Sequence, residues 1–91
     1  MNWNSPENKA LIGAFLSMRT PAEMRRFMRD ILTENEIEEF SKRLLTARLL
    51  TEKVPYSEIE KRTGLSSTTI ARVAQWLRKG AGGYKLVLKR Q

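Results

Sequence analysis

The stretch YSEIEKRTGLSSTTIARVAQWLRK, Tyr56 to Lys79, decides the fold. Ser57 with Glu60 three residues on spells a capping box, so a first helix is predicted over Glu58–Thr63. Gly64 then suits a left-handed backbone, which glycine adopts without a Cβ clash. Ser66 can cap a second helix by accepting one of its unpaired N–H groups. Beyond it Ile70, Val73, Ala74 and Leu77 recur at i, i+3, i+4 and i+7, an apolar stripe made for a core. The opposite face carries Thr68, Arg72, Gln75 and Lys79. Two short helices joined by a glycine turn, with hydrogen-bonding and cationic groups on the outer face of the second, form the pattern of a helix-turn-helix.

The distribution of charge supports that reading. The 91 residues carry a formal net charge of +7. Residues 1–56 hold nine basic and eight acidic side chains, whereas residues 57–91 hold eight basic and two acidic. The positive excess therefore lies on the candidate reading head and the tail behind it, and points to a polyanion, most simply nucleic acid. No helix pairs a broad apolar face with a Lys/Arg-rich one, which disfavours a membrane surface. There are no cysteines or histidines, so disulfides, thiolate or histidine catalysis and the usual zinc sets are excluded, and no cofactor or metal is expected. No apolar run approaches the roughly 20 residues of a membrane span, and the N-terminus lacks the pattern of a signal peptide. A soluble cytoplasmic protein is the expectation.

Working outward, the N-terminal half repeats one grammar. Residues 1–4 read as loose, although Trp3 is large enough to dock somewhere. Ser5-Pro6-Glu7 opens helix one, about Pro6–Met18, with Leu11, Ile12, Phe15 and Leu16 on one face. Thr20-Pro21-Ala22-Glu23 opens helix two, striped by Met24, Phe27, Met28 and Ile31. Its arginines, Arg25, Arg26 and Arg29, suit a solvated face better than phosphate contact. Thr33 and Glu36 form a third capping box for the longest helix, about Glu34–Thr51. There Ile37, Phe40, Leu44 and Ala47 mark one stripe, and Leu45 and Leu49 a second. An apolar surface this broad implies burial on more than one side, part of it against another subunit. Glu36, Glu38 and Glu39 are explained by the helix dipole rather than by acid-base chemistry. The chain thus divides into residues 1–55 for core and dimerisation, 56–79 for reading and 80–91 as a basic tail. In that tail Tyr84, Leu86 and Leu88 alternate with Lys85, Val87 and Lys89, a weak strand pattern that an extended arm or a short helix would fit equally.

Leu32-Thr33, Glu36, Arg43, Leu49-Leu50 and the motif from Ser57 to Leu77 together resemble the Trp repressor superfamily. The closing run Gly82-Gly83-Tyr84-Lys85-Leu86-Val87-Leu88 is similar to its YerC/YecD-type subgroup. The resemblance covers about Thr20 to Arg90. It implies an all-α helical bundle, an intertwined homodimer and a transcriptional regulator. In the Trp repressor, tryptophan lies between two arginines beside the reading head. Arg43 and Arg72 stand at positions similar to those two. Val73 replaces a glycine there and Trp76 a serine, so the pocket reads as vestigial, filled by the protein's own side chains. This counts against a small-molecule corepressor.

The reading that follows is a helix-turn-helix regulator, a repressor, that binds a palindromic operator in double-stranded DNA as a homodimer. Ser67, Thr68, Thr69, Arg72 and Gln75 are the candidates for base contacts. Lys61, Arg62, Ser66 and Lys79 are the candidates for phosphate contacts. The alternative is a basic helical adaptor for structured RNA or a protein. No nucleophile–base pair or metal set supports an enzyme.

Overall fold

A computed structural model describes all 91 residues, Met1–Gln91. Six helices and no strands are present: α1 Pro6–Ser17, α2 Pro21–Ile31, α3 Glu34–Thr51, α4 Tyr56–Thr63, α5 Ser67–Lys79 and α6 Gly83–Arg90. The chain forms two compact units, Met1–Ile37 and Glu38–Gln91.

In the first unit every helix start is set by a side-chain cap. The Ser5 hydroxyl accepts from the Asn8 N–H at 3.1 Å, with Pro6 at the first helical position. The opening residues are not loose, because the Asn8 side-chain amide donates to the Asn2 carbonyl and the Ser5 N–H does the same at 3.3 Å. Trp3 remains exposed. At α2 the Glu23 N–H donates to the Thr20 hydroxyl at 3.1 Å. The Glu23 carboxylate reaches past the cap to the Arg19 N–H at 2.9 Å, one residue beyond a standard capping box. Thr33 and Glu36 do form the reciprocal pair, at 2.9 and 3.1 Å. Thr33, through its backbone N–H first and its hydroxyl second, holds the Glu36 carboxyl below its ordinary value. Arg29 pairs with Glu34 at 3.3 Å and leaves its helix face solvated. Phe15 and Phe27 meet edge to face, 5.2 Å between centroids. No residue of α1 or α2 is buried, and Leu11, Ile12, Leu16 and Ile31 lie exposed.

The second unit has a true core. Leu49 from α3, Ile59 from α4 and Ile70 from α5 are fully enclosed, with Leu45, Leu50, Val54 and Leu65 packed around them. α3 ends in a Schellman motif: the Val54 N–H reaches the Leu49 carbonyl and the Lys53 N–H the Leu50 carbonyl, both at 3.0 Å. The left-handed position in it is Lys53, φ 62°. A non-glycine residue there is uncommon, and the Val54 contact on the core holds it in place.

Two expectations are corrected here. α4 starts at Tyr56, not Glu58, and its cap is Pro55 rather than Ser57; no side chain caps it. Proline fixes φ near −62° and offers its carbonyl to the Glu58 and Ile59 N–H groups at 3.1 Å. Ser57 therefore already lies inside the first turn. The tail, for which strand, arm and helix were all open, is helical. Gly82 turns the chain at φ 86°, and Tyr84 and Leu88, spaced i and i+4, are the half-buried residues of α6. The Arg48 guanidinium donates to the Gln91 side chain and ties the far end of α6 to α3.

Candidate nucleic-acid interface

α5 is built to present one face. The Ser66 hydroxyl accepts from the Thr69 N–H at 3.2 Å and caps it. Ile70, Val73 and Ala74 are buried and Leu77 half-buried, so the helix cannot rotate without exposing them. At about 100° per residue, Thr68, Arg72, Gln75 and Lys79 then fall within one sector opposite the core. All four side chains are exposed. The sector contains two donors with permanent charge, one amide and one hydroxyl, and no carboxylate.

The other candidates are placed less uniformly. Ser67 is exposed but lies well round the helix from that sector. Thr69 is half-buried, and its hydroxyl meets that of Ser66 at 3.1 Å. Both hydroxyls are thus partly occupied in holding the helix start. Lys61 and Arg62 are exposed at the C-terminal end of α4, where cations also complement the helix dipole. The charge is segregated: residues 1–37 hold five basic and five acidic side chains, residues 38–91 twelve and five.

Beside the reading sector lies a cavity of about 220 Å³ lined by Arg43, Thr69, Arg72, Val73, Trp76 and Tyr84. Arg43 and Arg72 do share its wall. A neighbouring hollow of about 570 Å³ is lined by Arg43, Leu44, Trp76, Ala81, Gly83, Tyr84 and Val87. Here the sequence-based expectation of a filled pocket is corrected. Val73 is buried, 3% exposed, but the Trp76 side chain is 61% exposed and forms a wall instead of a plug. Gly80 lies against it, where a Cβ would collide with the Trp76 carbonyl and ring. Arg43 is held from its own helix: it pairs with Glu39 at 3.2 Å and lies 5.9 Å over the Phe40 ring. Its Nε is buried without a partner.

Two participants escaped the sequence reading. Tyr84 lines both hollows, which required the tail to be a helix. Thr63 is buried in the turn between α4 and α5, its hydroxyl donating to the Ile59 carbonyl at 2.8 Å and accepting from the Leu65 N–H at 3.1 Å. A threonine before a glycine carries no signal that would have singled it out.

The sequence profile of the Trp repressor protein family matches residues 7–91. The chain belongs to the Trp repressor family. It is 40% identical over 80 residues to the uncharacterised protein YerC of Bacillus subtilis (strain 168), an overlap of 88% of this chain and 77% of that one. A TrpR-like protein from Eubacterium eligens ATCC 27750 has the same fold, with a TM-score of 0.93 at 35% identity over 97% of this chain and 91% of the other. A putative Trp repressor from Staphylococcus aureus gives 0.91 at 31% identity, over 99% and 93%. The all-α TrpR-like fold and the YerC-type relationship read from the tail motif are both borne out. The Trp repressor family is regulatory rather than enzymatic. No helix is long and apolar enough to cross a membrane.

Proposed function

We propose that this Trp repressor family member is a sequence-specific DNA-binding regulator that represses transcription from a palindromic operator as a homodimer in the cytoplasm. The observation that carries the reading is the exposed sector of Thr68, Arg72, Gln75 and Lys79, on a unit that bears the whole net charge. Arg72 and Gln75 can pair with base edges, with Thr68 nearest the entering N-terminus of α5 and Ser67 and Thr69 flanking it. Lys79, Lys61 and Arg62 hold phosphates, and the Ser66 hydroxyl donates its proton to one. Residues 56–79 are the reading head, residues 1–55 supply core and dimerisation, and residues 80–91 add basic charge behind the head. Selection of bound sequences from a random DNA pool tests this. A two-fold motif with half-sites about 34 Å apart is expected. Recovery of no motif, or tighter binding to structured RNA than to any duplex, overturns it.

Dimerisation is argued from cover. Thirty-seven residues with no buried side chain in their helices cannot pay the conformational cost of order alone. Leu11, Ile12, Leu16 and Ile31 need a partner surface, and a second copy supplies one by symmetry. Sedimentation at micromolar concentration should give twice the 10.5 kDa chain mass. A species at the chain mass itself would remove both the dimer and the two-half-site operator.

No corepressor is assigned. The hollow lined by both Arg43 and Arg72, about 220 Å³, is smaller than the ~300–1,000 Å³ of ordinary ligand pockets, and the neighbouring one of about 570 Å³ lacks Arg72. Val73 adds an isopropyl group to the wall of the smaller one. Calorimetric titration with free tryptophan should show no saturable heat below millimolar concentration. Stoichiometric micromolar binding would mean that the neighbouring hollow opens into it.

A further inference from the structure

We propose that Thr63 is the positioning residue of the reading head: its buried hydroxyl selects which of two turn closures joins α4 to α5, and so sets the angle at which α5 is presented. The proposal rests on the DNA-reading function above. It starts from a contrast within one chain. α3 and α4 both end at a left-handed residue, Lys53 at φ 62° and Gly64 at φ 73°. Two residue patterns of hydrogen bonding can follow such a residue. At α3 the amide after it, Val54 N–H, folds back on the Leu49 carbonyl, and Lys53 N–H bonds Leu50, the Schellman arrangement. At α4 the Gly64 N–H reaches the Glu60 carbonyl at 2.8 Å in the simpler αL arrangement. The amide after it, Leu65 N–H, does not fold back on the helix. It donates to the Thr63 hydroxyl at 3.1 Å.

The residue preceding the left-handed position makes the difference. At α3 it is Glu52, which offers no hydroxyl; at α4 it is Thr63. Donation from a threonine hydroxyl to the carbonyl four residues back is a common helical habit, and the 2.8 Å bond to Ile59 alone would mean little. Acceptance from the Leu65 amide is the part that matters. The hydroxyl is 5% exposed with the residue and uses its proton on Ile59, which leaves its lone pairs facing the turn. Leu65 is itself packed on the Leu49–Ile59–Ile70 core, so water does not readily replace the acceptor. Without the hydroxyl, the cheapest partner for the Leu65 amide is the Glu60 carbonyl, which is the Schellman closure seen at α3. That closure sends the chain out of α4 in a different direction, and Ser66 and α5 follow. Thr68, Arg72 and Gln75 would then meet a groove at the wrong tilt, although none of them has changed.

Thr63→Val removes the hydroxyl at nearly constant shape, and Thr63→Ser keeps it. Residual dipolar couplings on the labelled, DNA-free proteins report the orientation of α5 against α4. Hydrogen exchange reports the Leu65 amide. Titration with the selected duplex and with an unrelated duplex reports discrimination. The expected result is a reoriented α5 in Thr63→Val and a specific-to-unrelated affinity ratio lowered about tenfold, similar to loss of one base contact. Affinity for the unrelated duplex and its salt dependence should not move, because no cation is lost. Thr63→Ser should match wild type in every measurement. An unchanged orientation or ratio in Thr63→Val, or a Thr63→Ser protein that behaves like Thr63→Val, overturns the proposal. If Thr63→Val does not fold, a Leu65 amide unprotected in wild type or a shifted Thr63→Ser protein overturns it, and protection with an unshifted Thr63→Ser supports it. A wild-type protein that prefers no sequence sinks the DNA-reading function, while the orientation comparison still decides whether Thr63 sets the turn.

Discussion

Leu49→Ala, Ile59→Ala and Ile70→Ala should each lower the free energy of unfolding by about 2–5 kcal/mol, the range for emptying a filled aliphatic site. Each of α3, α4 and α5 contributes one of these side chains, and each is at most 2% exposed. Little else in the second unit is fully enclosed: Thr46, Ala47, Thr63, Val73 and Ala74 complete its buried set. The cavity left by any one substitution therefore has few neighbours able to collapse into it. A domain of this size has only about 5–15 kcal/mol of stability in total. One substitution would remove a large share, and two together should leave the reading head unfolded at 37 °C. Because the three side chains touch, the double variants should depart from additivity by about 0.5–3 kcal/mol. Urea unfolding followed by far-ultraviolet dichroism measures all of this. Costs below about 1 kcal/mol at all three positions would show that the helix-turn-helix is held by something other than this cluster.

Arg72→Ala should lower affinity for the selected operator by about 1–3 kcal/mol and relax base preference at one position in each half-site, the effect of deleting a bidentate arginine–guanine contact. Lys79→Ala should weaken binding to all duplexes alike and reduce the slope of affinity against salt by about one ion, because it loses only a phosphate. The two differ by position along α5. Arg72 is one turn beyond Thr68, near the end proposed to enter the groove, whereas Lys79 is the last residue of the helix. Arg72 has a rival role, since it also lines the hollow shared with Arg43 and Tyr84. That role predicts altered stability or dimerisation with base preference intact. Selected motifs from wild type and both variants separate the alternatives. An identical motif from Arg72→Ala would show that Arg72 does not read bases and that the reading face is misassigned.

Local chemistry was legible wherever one side chain settles one backbone group. Ser5, Thr20, Thr33 and Ser66 each cap the helix expected of them, and α3 spans Glu34–Thr51 as its periodicity requires. Gly64 is left-handed for the reason glycine is placed there. These signals survive in one dimension because donor, acceptor and constraint lie within four residues. The Trp repressor-like fold was legible for a related reason, that a motif of fixed spacing carries its own geometry. Where two local signals competed, the sequence had no means of ranking them. Ser57 and Pro55 both can start α4, and Pro55 prevails because Val54 before it is anchored in the core by the end of α3. The tail alternates like a strand, yet Tyr84 and Leu88 find half-buried places only when they are one helical turn apart. Trp76 was expected to fill the pocket and instead walls it, its ring lying beside Gly80, where no Cβ stands in the way. Thr63 gave no sign at all: whether a buried hydroxyl accepts as well as donates depends on where the turn places the Leu65 amide. Composition and spacing determined the helices, the charge asymmetry and the candidate reading face. The entry of α4, the course of the tail, the open hollow and the turn closure were decided by packing among residues far apart in the chain, whose mutual positions exist only once the core has formed.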